Sequence, residues 1–356
     1  MINPDSLKKE WINDVAKKHK SDPILVEKVV RALYLLELLQ KSKLDFIFKG
    51  GTALMLLLPE PKRLSIDIDI IISEKADKVQ IVFDGILENS DFHEYKEDER
   101  VVKSKIKKAH YKFFYKTATN TRGELEYILL DILYEKSNYG DHTKQIEIAS
   151  PFLLLEGENA TVMVPTPEAI LGDKLTAFAP NTTGVPYGRE KEVEIIKQLY
   201  DIGLLFDIVG EVEIISAVFN KFARTELAYR EMVDSIPKDV LKDIMETAVV
   251  IGTRGKGGNG SFPELQKGIQ NIRNYIFLES FHLERAMLPA AKAAYLSAIL
   301  QTESKEINHF SDPMDVADWL IEQPFENRLN KLKKSNPEAF FYWYLAFELL
   351  SINTEN

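Results

Sequence analysis

The stretch Arg63-Leu64-Ser65-Ile66-Asp67-Ile68-Asp69-Ile70-Ile71-Ile72 constrains this chain more than any other. From Ile66 to Ile70 acid and isoleucine alternate strictly, the period of a strand with one buried face, so Asp67 and Asp69 are expected to share the other face. Aspartate is depleted in strands, and like charges on one face repel unless something positive lies between them. A divalent cation meets that need. Hard carboxylate oxygens with an open outer side suit Mg2+ shared with a substrate's phosphates. Asp-x-Asp alone reads equally well as an amphipathic strand facing water. The upstream Phe48-Lys49-Gly50-Gly51-Thr52-Ala53-Leu54 tips the balance. It has the form of a strand end, a Gly-Gly turn and a helix start. Glycines there let backbone approach a ligand, and the free N–H groups of a helix start attract phosphate oxygens.

Gly-Gly followed by Asp-x-Asp on a strand resembles the nucleotidyltransferase superfamily that includes DNA polymerase β. The longer string Phe-Lys-Gly-Gly-Thr-Ala-Leu with Arg-x-Ser-x-Asp-Ile-Asp is similar to its AbiEii/AbiGii (MenT-like) branch, the nucleotidyltransferase-like toxins of bacterial toxin–antitoxin systems, and the interval from Gly51 to Asp67 suits that branch. The resemblance implies that Asp67 and Asp69 are catalytic and bind metal. It also implies that Lys49, Gly50, Gly51, Thr52, Arg63 and Ser65 contact the nucleotide. Such enzymes use a third carboxylate on a neighbouring strand. Asp131 is the candidate, a lone acid in the apolar run Ile128-Leu129-Leu130-Asp131-Ile132-Leu133, where burial is costly unless it is paired or metal-bound. A strand-end Asp bonded to backbone is the alternative. Glu126 falls on the opposite face by period 2 and should not share the site.

Further along, Pro167-x-x-x-Leu171-x-x-Lys174-Leu175-x-Ala177 matches the next motif of that branch, with Lys174 implied to bind the triphosphate and offset charge on departing pyrophosphate. Thr166, Pro167 and Glu168 read as the cap and first turn of its helix. Leu199-Tyr200-Asp201-Ile202-Gly203-Leu204 resembles the final motif, with Asp201 implied to pair with Lys174 or accept a proton. The acid that opens that motif is replaced by Lys197 or Gln198.

The rest of the chain sets limits. It has 356 residues, 45% hydrophobic and 28% charged, enough for two domains with proper cores. Without cysteine there is no disulfide, thiolate metal site or cysteine nucleophile. A polar N-terminus and the lack of a long apolar run make a cytoplasmic protein with no membrane contact the expectation. A net charge of −10 argues against broad nucleic-acid binding while leaving room for local basic surface.

Helices are expected over 6–41, 52–58, 75–90, 192–206, 227–250, 264–279, 283–301, 315–322 and 337–350. Glu27 and Lys28 read as structural. Val101 to Lys116 interleaves Lys103, Lys105, Lys107, Lys108, Lys112 and Lys116 with Tyr111, Phe113, Phe114 and Tyr115. A strand pair with solvent-facing lysines is favoured there over an RNA-tracking groove. Residues 180–189 read as a mobile loop. The glycine-rich 252–260 lacks Gly-Lys-Ser/Thr and reads as a linker rather than a P-loop. The aromatic helix over 337–350 is expected to pack in a core.

The expectation is therefore an α/β (α+β) nucleotidyltransferase fold over 1–205, a mixed sheet with flanking helices, then an all-helical C-terminal domain over 206–356. Its implied activity is Mg2+-dependent transfer of NMP from an NTP to an acceptor hydroxyl, a tRNA 3′ end, by a toxin with a cognate antitoxin. The alternatives are a small-molecule (aminoglycoside-type) nucleotidyltransferase and a catalytically silent nucleotide-binding module.

Overall fold

Proline at the first turn and an aspartate before it start the long helix that underlies the sheet. Asp22 accepts a hydrogen bond from the Ile24 N–H at 2.8 Å and Pro23 opens α2 (Pro23–Lys41), preceded by α1 (Lys9–His19). The computed structural model describes all residues except 74–75, 99–107, 121–123, 278, 323 and 353–356. The calls at Lys75, Lys103, Lys105 and Lys107 lie outside the described residues. The described chain divides by contacts into two compact units, Met1–Thr166 with Tyr275–Ser280, and Pro167–Asn274 with Phe281–Asn356. The sequence boundary near 205 followed motifs, whereas the contacts divide at 166/167.

The first unit is built on a five-stranded sheet in the order β1-β2-β5-β4-β3. Its strands are β1 (Phe46–Lys49), β2 (Ile68–Ile72), β3 (Phe92–Glu97), β4 (Lys108–Lys116) and β5 (Leu125–Tyr134), with α3 (Gly50–Leu57) after β1 and α4 (Ala76–Glu88) after β2. β2 and β5 are parallel and the other pairs antiparallel, so the sheet is mixed as expected. A separate antiparallel ribbon joins β6 (Thr143–Glu147) to β7 (Thr161–Pro165).

Alternation does the packing in this sheet. Ile128, Leu130 and Ile132 of β5, with Tyr111, Phe113 and Tyr115 of β4, are buried on one face beside Leu33 and Leu36 of α2 and Phe83 of α4. Phe83 meets Tyr111 and Phe113 edge-on at 5.0 and 4.9 Å. Glu27 is indeed structural: its carboxylate accepts from Thr117 Oγ1 at 2.7 Å and from the Ala118 and Thr119 N–H groups, fixing the chain that leaves β4. Lys28 pairs with Glu126 at 2.9 Å, which keeps Glu126 away from Asp131.

The second unit is helical: α5 (Pro167–Ala177), α6 (Glu192–Phe206), α7 (Val212–Tyr229), α8 (Pro237–Gly252), α9 (Phe262–Asn271), α10 (Leu283–Thr302), the short α11 (Glu326–Leu329) and α12 (Leu332–Ser335), and α13 (Pro337–Ile352). α10 is its axis, buried on nearly every side from Ala286 to Ile299. Phe340, Phe341, Tyr342 and Trp343 of α13 are buried, so the aromatic helix packs in the core.

Five expectations change, the first over 6–41, which is two helices, α1 and α2, parted after His19. The helix read over 227–250 is two helices, α7 and α8, parted by the turn before Pro237. The helix read over 264–279 stops at Asn271, and the chain then joins the first unit, where Tyr275 and Phe277 bond to Leu64 and Lys62. The helix read over 315–322 is a 3-10 turn at Pro313–Val316. The loop 180–189, read as mobile, is anchored: Asp243 accepts from the Asn181 N–H, Asn181 Nδ2 and Thr182 Oγ1 at 2.7–2.9 Å. Among the described residues no helix is long and apolar enough to cross a membrane.

Candidate active site

Register puts four charged or titratable residues in one row across the sheet. Lys49 of β1 pairs with Asp69 of β2, Asp69 with Asp131 of β5, and Asp131 with His110 of β4. All four are half-buried, while their neighbours along each strand alternate into the core. Two acids facing each other across a parallel ladder repel, and each end of the row carries a basic group. His110 Nδ1 lies 2.6 Å from Asp131 Oδ1, a contact that holds the Asp131 carboxylate. Nothing local marks His110, because its partner is on another strand and only the β4/β5 register brings them together.

The Gly-Gly turn is packed against the acids. Gly50 has φ +82°, and a Cβ built there would lie 2.1 Å from Asp69 Oδ2, so only glycine lets this carboxylate rest on the backbone. A Cβ on Gly51 would lie 2.6 Å from Arg63 Nη2 and 2.7 Å from Ser65 Oγ. Gly50, Gly51, Arg63, Ser65 and Asp69 thus crowd one cradle at the start of α3. Arg63 is buried, donates to the Leu64 carbonyl at 3.1 Å and bridges Ile276, so it is a built-in part of that wall rather than a solvated arginine.

Two positions differ from the sequence reading. β2 begins at Ile68, leaving Asp67 just before the ladder, where the Thr52 hydroxyl donates to the Asp67 carbonyl at 2.6 Å. Thr52 is fully buried, and its hydroxyl is committed to that carbonyl. Among the described residues no three Asp, Glu or His side chains converge as a metal cage. Mg2+ is commonly held by one or two carboxylates with the remaining positions filled by water and phosphate. The donors Asp67 and Asp69, with Asp69 locked by Gly50, fit that chemistry.

Lys174 and Asp201 meet within the second unit. Lys174 Nζ sits 2.8 Å from Asp201 Oδ2 and donates to Gln198 Oε1 at 3.0 Å, and the Asp201 side chain is 1% exposed. Of the two residues read at the missing acid's position, Gln198 is the one bonded to Lys174, while Lys197 turns to Glu194 at 2.8 Å. A carboxylate so buried suits holding Lys174, the first of the two roles read for Asp201.

In the basic aromatic stretch, Tyr111, Phe113 and Tyr115 belong to the core, and burial pushes the Tyr111 and Tyr115 hydroxyls well above their usual range. Phe114 and Lys112 lie on the other face.

Residues 31–267 match the family described as the nucleotidyl transferase AbiEii toxin of type IV toxin–antitoxin systems, well over half the chain and every candidate residue above. The chain belongs to the AbiEii nucleotidyltransferase family. AbiEii membership makes it a nucleotidyltransferase and, by the family's description, implies an antitoxin partner. Among solved structures, a nucleotidyltransferase candidate from H. pylori aligns at 16% identity and TM-score 0.42, over 78% of this chain and 94% of that one. JHP933 from Helicobacter pylori aligns at 15% and 0.42 over 78% and 90%. An antigenic nucleotidyltransferase-like protein from Paracoccidioides brasiliensis aligns at 14% and 0.37 over 58% and 91%. No curated protein matches the chain significantly.

Proposed function

We propose that this AbiEii-family protein transfers NMP from an NTP to the terminal hydroxyl of an RNA, a tRNA 3′ end, and that Mg2+ serves the reaction. The observation that carries the reading is the Asp69 carboxylate seated on Gly50 and facing Asp131 across the ladder. Asp67 and Asp69 would hold the cation, whose chemistry when bound is to neutralise phosphate charge and sharpen the attacking hydroxyl. Ser65, Arg63 and the N–H groups of Gly50 and Gly51 bind phosphate oxygens. The acceptor oxygen forms a bond to the α-phosphorus while the bond from that phosphorus to the bridging oxygen breaks, and pyrophosphate leaves with the electron pair. The hydroxyl proton passes to an Asp131 carboxylate oxygen, oriented by His110. Lys174, held by Asp201 and Gln198, is the cation that the second unit offers to a triphosphate.

Incubation with each α-32P-labelled NTP, Mg2+ and total RNA tests this, with Asp69→Asn as the control. Label in RNA from one or more NTPs, lost in the variant, is expected. Label entering only small molecules would overturn the RNA acceptor, and equal labelling by the variant would overturn the site.

A further inference from the structure

The sheet face that carries Asp69 and Asp131 continues past them along β4 and β5. Two residues on, Lys112 faces Leu129, and two further on Phe114 faces Tyr127. The Phe114 and Tyr127 rings are 5.7 Å apart and tilted by 55°, and Tyr127 is 40% exposed. Both lie opposite the core face, Tyr127 exposed and Phe114 half-buried. Lysines ring them: Lys112 and Lys28 lie 5.2 and 5.5 Å from the Tyr127 centroid, and Lys96 lies 5.1 Å from that of Phe114. Each lysine also has a carboxylate partner, Asp98, Glu126 and Glu94 respectively. The patch is therefore nearly neutral, with aromatic faces beside ammonium groups.

We propose that Phe114 and Tyr127 form a stacking platform for a nucleobase of the acceptor, a single-stranded RNA 3′ end. This rests on the transfer reading above and deepens it by naming the acceptor's subsite. Four residues separate Tyr127 from Asp131, about 13 Å at a strand's rise of roughly 3.3 Å per residue. Stacked bases rise about 3.4 Å each, so a base on the platform lies roughly four base steps from a 3′ hydroxyl at Asp131. A nucleobase stacks on an aromatic face whatever its identity, and an ammonium beside the ring meets its phosphate. Small-molecule acceptors would gain nothing from a platform so far from the carboxylates.

The test measures fluorescence anisotropy of a short 5′-fluorescein-labelled single-stranded RNA with the full chain, alongside transfer kinetics and separate binding of NTP. Variants are Phe114→Leu with Tyr127→Leu, which keep apolar bulk but remove the rings, and Tyr127→Phe, which keeps the ring. The double leucine variant is expected to weaken RNA binding and raise the RNA KM roughly tenfold, about 1.4 kcal/mol, within the range of one base–aromatic stack. NTP affinity and melting temperature should hold, and Tyr127→Phe should bind as wild type. RNA binding unchanged in the double leucine variant would overturn the platform, including the case where a protein partner covers the patch. Wild-type chain that binds no single-stranded RNA would overturn it too. RNA that binds through the rings but is never extended would instead sink the transfer reading and leave the platform standing.

Discussion

Gly50 is the residue on which the geometry of the acids turns. Any side chain there meets both a positive φ and the Asp69 carboxylate. Gly50→Ala is expected to displace Asp69 and cut transfer about 100-fold or more, the order seen when a reacting group is misplaced by about 1 Å. Its melting temperature should fall less dramatically, since a strained backbone costs roughly 1–3 kcal/mol. Single-turnover kinetics beside thermal melts separate the two. Asp201→Ala acts differently. It leaves the Lys174 ammonium, 10% exposed, beside Gln198 with its main counter-charge gone. Breaking a buried pair this way costs about 3–5 kcal/mol, so a clear loss of stability in denaturant melts is expected together with a raised KM for NTP. The place of Asp69 off the core face was legible from strand alternation, and the Lys174–Asp201 contact from the resemblance of their two motifs to the family's. His110 and the commitment of Thr52 to the Asp67 carbonyl were not. Both depend on which strand lies next to which.

At the scale of elements, α1 ends on an unusual residue. His19 is buried against Phe152 and Phe277, and among the described residues neither ring nitrogen has a hydrogen-bond partner. Desolvation, with the charge of Lys18 second, lowers its pKa below 6.5. The unfolded chain then binds the proton more readily than the folded one, so this contribution is complete above about pH 6.5 and is lost as pH falls below it. His19→Phe is expected to flatten that acid-side loss in melts compared between about pH 7.5 and about pH 5.5. An equal acid slope in both proteins would contradict it.

In α8, Asp243 ties down the 180–189 loop, and burial pushes its carboxyl up although its hydrogen bonds oppose the shift. Asp243→Ala is expected to expose that loop to limited proteolysis; an unchanged digestion pattern would show the anchor to be idle. The loop was misread because glycines and prolines announce a turn but not what holds it. The opposite error occurred at 264–279, where helical periodicity ran through Asn271 although Tyr275 and Phe277 are needed elsewhere. The long α6 was readable because its own buried stripe defines it.

Across the whole molecule, sequence order does not separate the two units. Tyr275–Ser280 belongs with the sheet although the helices on either side of it do not. Phe277 is 3% exposed in the core of the first unit, and Ile276 bridges Arg63. A chain ending at 205 is therefore expected to lose the backing of Arg63 and the Phe277 plug, and to unfold at lower temperature without transfer activity. A stable, active 1–205 chain would overturn that view. The net charge of −10 sets the general surface against nucleic acid, so any RNA must be recognised at a local site.

The most direct measurement is transfer of α-32P-labelled NMP into RNA in the presence of Mg2+, comparing the intact chain with Asp69→Asn. The account expects labelled RNA and pyrophosphate from the intact chain and a loss of at least about 100-fold in the variant, as for removal of a group that acts on the transition state. Equal labelling by both proteins, or no nucleotide transfer by the intact chain to any acceptor, would contradict it.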